Sequence, residues 1–146
     1  MCFEFSVKPT SEAMAASKNW IVENFGQEAS VLPFSFQYGG QSSADLLKTW
    51  ENERTSNKLD ESRTQHTLTY ADSKTGLEVR CVIVEYNDFP TVEWTLYFKN
   101  TGASDTSIVS DIQALDISIA PHSSDEGGSE FLLHHNVGSI CKPNDY

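Results

Sequence analysis

Residues 91–99 alternate apolar and polar side chains between two turn signals, and this stretch limits the possible folds more than any other. The apolar residues occupy every second position: Val92, Trp94, Leu96 and Phe98. In an extended strand such residues point to one face. Asp88-Phe89-Pro90 before the strand and Asn100-Thr101-Gly102 after it are typical turn sequences. The stretch therefore predicts a half-buried β-strand with these four side chains in a core.

The same period of two recurs along most of the chain. The predicted strands cover residues 31–38, 66–70, 77–86, 91–99, 107–120 and 130–137. Residues 42–50 are predicted as a short helical turn, and 51–65 as a polar loop or the entry of an exposed strand. Irregular alternation predicts a bulge or a bend near residues 110–113. Strands separated by turn signals indicate a mainly β protein, an antiparallel β-sandwich.

The first 29 residues have a different pattern. Thr10 and Ser11 precede an alanine-rich run with later apolar residues on one side, which predicts a short N-terminal helix that ends at Gly26. An initial strand at residues 2–7 is an alternative, and both elements can coexist. We expect residues 1–29 to pack on a sandwich domain formed by residues 30–146.

The composition excludes several classes of function. The net charge is −11, from 21 acidic and 10 basic residues, which opposes binding to nucleic acids and to anionic membranes. No apolar run is long enough for a transmembrane helix. No signal peptide pattern precedes Pro9, and the compartment stays open.

The sequence contains three cysteines. Cys81 is expected to be a small buried apolar residue, whereas a bridge between Cys2 and Cys141 stays open.

Asp111 and Asp116 invite comparison with the carboxylate pairs of glycosidases. In a straight strand, residues five positions apart are about 17 Å from each other and point to opposite faces. Only a sharp bulge would bring them together, so we expect no catalytic role for them. The nucleophile elbow, the P-loop and the zinc-protease helix motif do not occur in the sequence. No cofactor is expected.

His134 and His135 are the best candidate for a ligand pair. Adjacent strand residues point to opposite faces, so one metal ion would not take both side chains. No third ligand lies near them in sequence, and an approach of His66 or His122 in space stays open. Because zinc sites need three or four converging ligands, no metal site is expected.

The three tryptophans are divided between core and surface. Trp94 is in phase with its apolar neighbours and is expected in the core. Trp50 adjoins a polar stretch, which makes it the better candidate for an exposed ring that contacts a ligand or partner.

Several motifs together resemble the N-terminal region of α-galactosidase-like glycoside hydrolases, those of glycoside hydrolase family 36 and its bacterial relatives. The residues that carry the resemblance are Phe34-Ser35-Phe36-Gln37-Tyr38-Gly39-Gly40, Leu46-Leu47-Lys48-Thr49-Trp50, Asp88-Phe89-Pro90, Val92-Glu93-Trp94, Asn100-Thr101-Gly102, Asp111-Ile112-Gln113-Ala114-Leu115-Asp116 and Leu133-His134-His135-Asn136-Val137-Gly138-Ser139. The resemblance implies a large, supersandwich-like β-sandwich that precedes a catalytic (β/α)₈ barrel. The catalytic aspartates of this family belong to the barrel, which needs about 250 residues and does not fit in this chain.

The resemblance therefore implies a non-catalytic domain, a piece of a longer glycoside hydrolase that packs on a catalytic barrel and helps to shape its active site. The contact residues expected from it are Trp50, His134, His135 and Asn136. The alternative is an independent carbohydrate-binding module for galactoside-type sugars. Strands missing from the sandwich would leave an exposed edge, which could pair with a second copy to form a homo-oligomer.

Overall fold

The computed structural model describes residues 8–26 and 31–118, and the structural statements that follow concern these residues. The elements in chain order are α1 (Ser11–Phe25), β1 (Ser35–Tyr38), β2 (Gln41–Ser42), α2 (Ser43–Leu46), β3 (Glu51–Lys58), β4 (Arg63–Ala71), β5 (Leu77–Tyr86), β6 (Val92–Asn100) and β7 (Val109–Gln113). No helix in these two ranges is long and apolar enough to cross a membrane.

The strands form two antiparallel sheets. One has the order β2-β1-β7 and the other the order β3-β4-β5-β6. In the second sheet every strand pairs with its neighbour in sequence, because short turns join antiparallel strands directly. The predicted class, a mainly β antiparallel sandwich with a short N-terminal helix, is confirmed.

The core lies between the two sheets and contains the apolar face of β6. The register of β6 on β5 places Phe98 opposite Val79, Leu96 opposite Cys81 and Trp94 opposite Ile83. The three β5 residues are fully buried. From the other sheet, the ring of Phe36 meets the ring of Phe98 edge-to-face at 5.2 Å. The core position predicted for this strand from its alternation is therefore correct.

Helix α1 forms where the sequence predicts it and packs on the four-stranded sheet. The Thr10 hydroxyl accepts a hydrogen bond from the Ala13 amide at 3.1 Å, which caps the first turn. The helix ends at Phe25, followed by Gly26. Near its end, Trp20 stacks on Trp94 with ring centroids 5.6 Å apart. Aromatic contacts of this kind contribute about 0.5–1.5 kcal/mol beyond the burial of apolar area.

The expectation of an exposed Trp50 is wrong. Trp50 is only 8% exposed, and its ring lies edge-to-face against the ring of Tyr38. The reason is local, because the Trp50 amide donates to the Leu46 carbonyl and the turn after α2 directs the ring into the core.

The polar stretch that follows Trp50 is strand β3, so the strand interpretation is correct for residues 51–58. Ladder hydrogen bonds to β4 hold this strand along its whole length, although its sequence is almost entirely polar.

Two turns that the sequence marks with glycine pack against each other. Gly76 closes the β4–β5 turn with φ of 77°, a left-handed conformation that favours glycine. Its carbonyl accepts the Thr101 amide at 2.8 Å. A Cβ atom at Gly76 would lie 2.6 Å from the Gly102 nitrogen. The close approach of the two turns therefore explains why both contain glycine.

Candidate functional site

A cavity of about 770 Å³ lies between the two sheets and is the candidate site for a ligand. Its polar wall comes from β1, the turn after α2, β3 and β7, and includes Gln37, Lys48, Asn52, Arg54 and Gln113. Its apolar part includes Phe34, Phe36, Leu32 and Leu47. Ligand sites in proteins usually have volumes of about 300–1,000 Å³ and combine apolar walls with a few polar groups. The cavity meets both criteria.

Asp111, at a β-bulge in β7, and Asp116, three residues after the end of β7, both lie on the wall of this same cavity. Ser35 pairs with Gln113 and Gln37 pairs with Ser110, so β7 contains one more residue than β1 between these pairs. Asp111 takes the left-handed conformation there, with φ of 49°, which aspartate tolerates better than most residues.

Strand β7 ends at Gln113, so Asp116 lies beyond the strand. The amide of Asp116 also donates to the Pro33 carbonyl at 2.8 Å. The expectation that the two carboxylates point to opposite faces of one straight strand is wrong, because both line the cavity, β7 ends before Asp116, and the irregularity predicted near residues 110–113, a bulge or a bend, is present as a bulge.

The charges on the cavity wall balance. Lys48 and Arg54 contribute two positive charges, and Asp111 and Asp116 contribute two negative charges. The Arg54 guanidinium is also occupied on one side, where it donates to the Phe25 carbonyl at the end of α1. A cation in this position stabilises the carbonyl end of a helix. A wall with no net formal charge and several amide groups suits a neutral ligand rich in hydroxyl groups.

The aromatic residues of the cavity offer no open ring face. Phe34, Phe36 and Tyr70 are all less than a tenth exposed. Burial raises the pKa of the Tyr70 phenol, which keeps it protonated at neutral pH. A sugar ring stacks on an exposed aromatic face, and none of these three rings provides one. The described part of the cavity thus contains polar groups for hydroxyls without a stacking surface.

A second polar cluster joins three neighbouring strands at the opposite end of the sheet. The Ser56 hydroxyl oxygen lies 2.8 Å from Nδ1 of His66, and Nε2 of the same ring lies 3.1 Å from a carboxylate oxygen of Glu85. Sequence reasoning missed this cluster because its members are far apart along the chain. Their positions are set by the ladder, in which Ser56 and His66 are directly opposite.

The Ser56–His66–Glu85 cluster has the residue types of a hydrolytic triad without the setting of one. A nucleophilic serine usually occupies a strained turn at a substrate cleft, whereas Ser56 lies within an ordinary strand and does not line the cavity. Its observed effect is structural, since the three side chains satisfy one another where the sandwich face of the sheet becomes polar. Ser56 is exposed, and the His66 and Glu85 side chains are partly buried.

The remaining predicted contact residues lie outside the described residues. His134, His135 and Asn136 belong to that part of the chain, as do Cys2, Cys141 and the strands predicted at residues 2–7 and 130–137. Within residues 8–26 and 31–118, no group of three or more histidine, cysteine or acidic side chains is placed to hold a metal ion. Cys81 is buried as expected.

An exposed aliphatic segment is the second feature of the surface. It consists of residues 108–117, where the exposed fractions are 80% for Ile108, 49% for Ile112, 58% for Leu115 and 37% for Ile117. Single exposed aliphatic residues are normal on protein surfaces, whereas several together usually mark an interface. We call residues 108–117 the aliphatic segment.

Comparison of the chain with models of protein families, with curated proteins and with solved structures gave no significant match.

Proposed function

We propose that the chain is a non-catalytic β-sandwich domain that packs against the catalytic barrel of an α-galactosidase-like glycoside hydrolase. The aliphatic segment is the observation that supports this proposal most directly. It places four large apolar side chains in solvent, one just before, one on and two after β7, the outer strand of the smaller described sheet. Interfaces between domains of one chain bury such side chains.

The position of the aliphatic segment connects packing with site shaping. The same stretch of chain carries Asp111, Gln113 and Asp116 on the cavity wall and Ile112 and Leu115 on the solvent side. A barrel docked on the aliphatic side would press on the stretch of chain that carries the two carboxylates. In this arrangement, domain packing sets the position of polar groups at the cavity.

The first test is the reading frame that contains this sequence, in which the proposal expects a catalytic barrel with its own pair of carboxylates. The barrel is then purified separately and titrated with this chain by calorimetry. We expect saturable binding that weakens at least about tenfold with Ile112→Ser and Leu115→Ser, because each removes apolar area worth about 1–2 kcal/mol.

Val22 provides a matched control for this titration. It is 68% exposed on α1, so Val22→Ser removes an aliphatic side chain from a different surface. This variant should bind the barrel as tightly as the original chain. Equal loss of binding in the control, or no binding at all, contradicts docking through the aliphatic segment.

The proposal also expects no glycosidase activity from this chain alone. The purified chain is assayed with nitrophenyl galactosides at a protein concentration high enough to detect slow turnover. Hydrolysis that disappears in the Asp111→Asn and Asp116→Asn variants would overturn the non-catalytic role. It would identify the two cavity carboxylates as the catalytic pair of a stand-alone enzyme.

An independent carbohydrate-binding module is the second candidate function, and the charge-balanced cavity favours it. The groups that would bind sugar hydroxyls are the carboxylates of Asp111 and Asp116 with the amides of Gln37, Asn52 and Gln113. Titration with galactosides and plant polysaccharides tests this candidate. Saturable binding lost with Asp111→Asn supports a module, and binding unchanged in that variant locates the sugar elsewhere. Trp50 is buried and is not expected to contact the sugar.

A further inference from the structure

The outer strands of the described sheets differ in how well they are protected against pairing with another chain. Natural sheets block their edges with bulges, prolines, charged side chains or a covering helix or loop, and a charge directed inward is the strongest of the charged barriers. Strand β7 has the bulge at Asp111. Strand β3 places Arg54 and Lys58 on the same side as the buried residues of β4, as its register with that strand requires.

Strand β6 has no bulge, no proline and no charged side chain on its sandwich side, and its two charges, Glu93 and Lys99, lie on the outer side. Its nine residues pair with β5 in one uninterrupted register, with no bulge, and contain no proline. Its sandwich side is entirely apolar from Val92 to Phe98. Among the described residues, β5 is its only ladder partner. The outer edge of β6 therefore offers a regular row of backbone groups suited to an added strand.

We propose that two copies of this chain associate by antiparallel pairing of β6 with β6 about a two-fold axis at Leu96. Leu96 is the middle residue of the strand, which spans Val92–Asn100. An antiparallel two-fold axis centred on this residue pairs the full length of both strands. The result is one continuous eight-stranded sheet, twice the four-stranded sheet of one copy.

The side chains of β6 are complementary to themselves in this register. On the outer side, Glu93 of one copy lies opposite Lys99 of the other, and this pair occurs twice because the interface is isologous. Thr95 lies opposite Tyr97 on the same side. Cross-strand pairs of opposite charge, and aromatic residues beside β-branched ones, are the combinations that stabilise antiparallel sheets. Centring on Thr95 or Tyr97 instead would place neither charge opposite its complement.

The sandwich side of the same edge has apolar area for the second copy to cover. A groove of about 540 Å³ runs between α1 and β6 and is lined mainly by apolar residues, including Ala16, Trp20, Val92 and Trp94. The proposed register brings Phe98 of the second copy beside Trp94, where the groove meets the strand edge. Aromatic pairs across strands add to the stability of such an interface.

The association is measured by analytical ultracentrifugation of the purified chain over a range of concentrations at low and physiological salt. We expect a monomer–dimer equilibrium. Lys99→Glu places two pairs of like charges across the interface and should weaken the dimer about tenfold or more. The double variant Glu93→Lys with Lys99→Glu restores both opposite-charge pairs and should restore the dimer. Glu51→Lys on β3 serves as the control and should not weaken it.

A disulfide test fixes the register. Thr95→Cys and Tyr97→Cys are introduced into separate chains in which Cys2 and Cys141 are replaced by serine. Mixing the two under oxidising conditions should give a linked heterodimer faster than either variant links to itself, because only the mixture places two cysteines opposite each other.

Three outcomes overturn the proposal. The first is a chain that stays monomeric at all concentrations, which would leave the edge of β6 for a different partner. The second is a dimer that persists in Lys99→Glu and is not affected by the double swap. The third is a disulfide that forms equally fast in the self-pairs, which would indicate another register or another interface.

Discussion

Tyr38 donates a hydrogen bond from its phenol to the Thr75 hydroxyl at 2.7 Å, and this bond joins the two sheets of the sandwich. Tyr38 ends β1 in the smaller sheet, whereas Thr75 lies in the turn between β4 and β5. The Thr75 hydroxyl in turn donates to a carboxylate oxygen of Asp72 at 2.7 Å. The three groups form a continuous chain of hydrogen bonds from one sheet to the turn of the other.

We expect Tyr38→Phe to lower the free energy of unfolding by about 1 kcal/mol, the usual net contribution of a partly buried hydrogen bond. The ring and its contact with Trp50 are retained in this variant. Urea titration measures the loss. Tyr97→Phe, whose ring lies on the outer face below Arg80, serves as the control and should change stability little. If Tyr38→Phe and Thr75→Val have fully additive effects, the two hydroxyls are not coupled.

The carboxyl group of Asp72, at the end of this series of hydrogen bonds, predicts that the stability of the fold depends on pH. The hydrogen bond from the Thr75 hydroxyl is the main cause that holds the pKa of the Asp72 carboxyl below its ordinary value. Because the folded state has the lower pKa, the ionised carboxylate stabilises the fold above about pH 4, and this stability is lost as the pH falls below that value.

Urea titrations of the original chain and of Asp72→Asn between pH 7 and pH 2 measure this effect. Asp72→Asn should be less stable at pH 7 and should approach the original chain in stability at the acid end. Asp60, whose pKa the hydrogen bond from Arg63 lowers to about 2, titrates in both proteins and cancels in the comparison. A constant difference across the whole range contradicts the role of the Asp72 charge.

The sequence predicts the strands and the core residues of this fold well, for a reason visible in β6. Its alternation depends only on local spacing, and burial on one face follows directly from that spacing. The end of α1 is equally local, because Gly26 and the apolar side of the helix mark it. These features need no knowledge of which strands become neighbours.

The candidate site depends on contacts that the sequence does not encode locally. Strand β7 is bulged at Asp111 and ends at Gln113, before Asp116, so a straight-strand estimate of the distance between the two carboxylates fails. The exposure of Trp50 likewise depends on the direction of a turn after α2. His66 and Glu85 meet only because β4 and β5 pair in a particular register.

The contact between the two glycine turns predicts unequal effects for two alanine substitutions. Gly76 and Gly40 both have φ near 80°, so alanine strains the backbone by about 1–2 kcal/mol at either site. At Gly76 the added Cβ also meets the Gly102 backbone at 2.6 Å, whereas at Gly40 it meets no atom within 4 Å.

Gly76→Ala should therefore destabilise the chain clearly more than Gly40→Ala, by several kcal/mol in total because the backbone of one turn must move. Thermal or urea unfolding of the two variants gives the comparison. Equal losses of stability would mean that the turns separate without cost and that their contact contributes little to the fold.

The buried thiol of Cys81 gives a chemical measure of how often the core opens. Burial raises the pKa of this thiol to about 12, so very little thiolate is present at pH 8. With Cys2 and Cys141 replaced by serine, we expect the native chain to react with a disulfide reagent only through rare opening of the sandwich. The rate should rise in proportion to the open population as urea is added.

A Ser73→Cys variant, with the new thiol on the exposed β4–β5 turn, provides the control and should react at once. Reaction of Cys81 at the rate of that exposed thiol would contradict a closed core around β5.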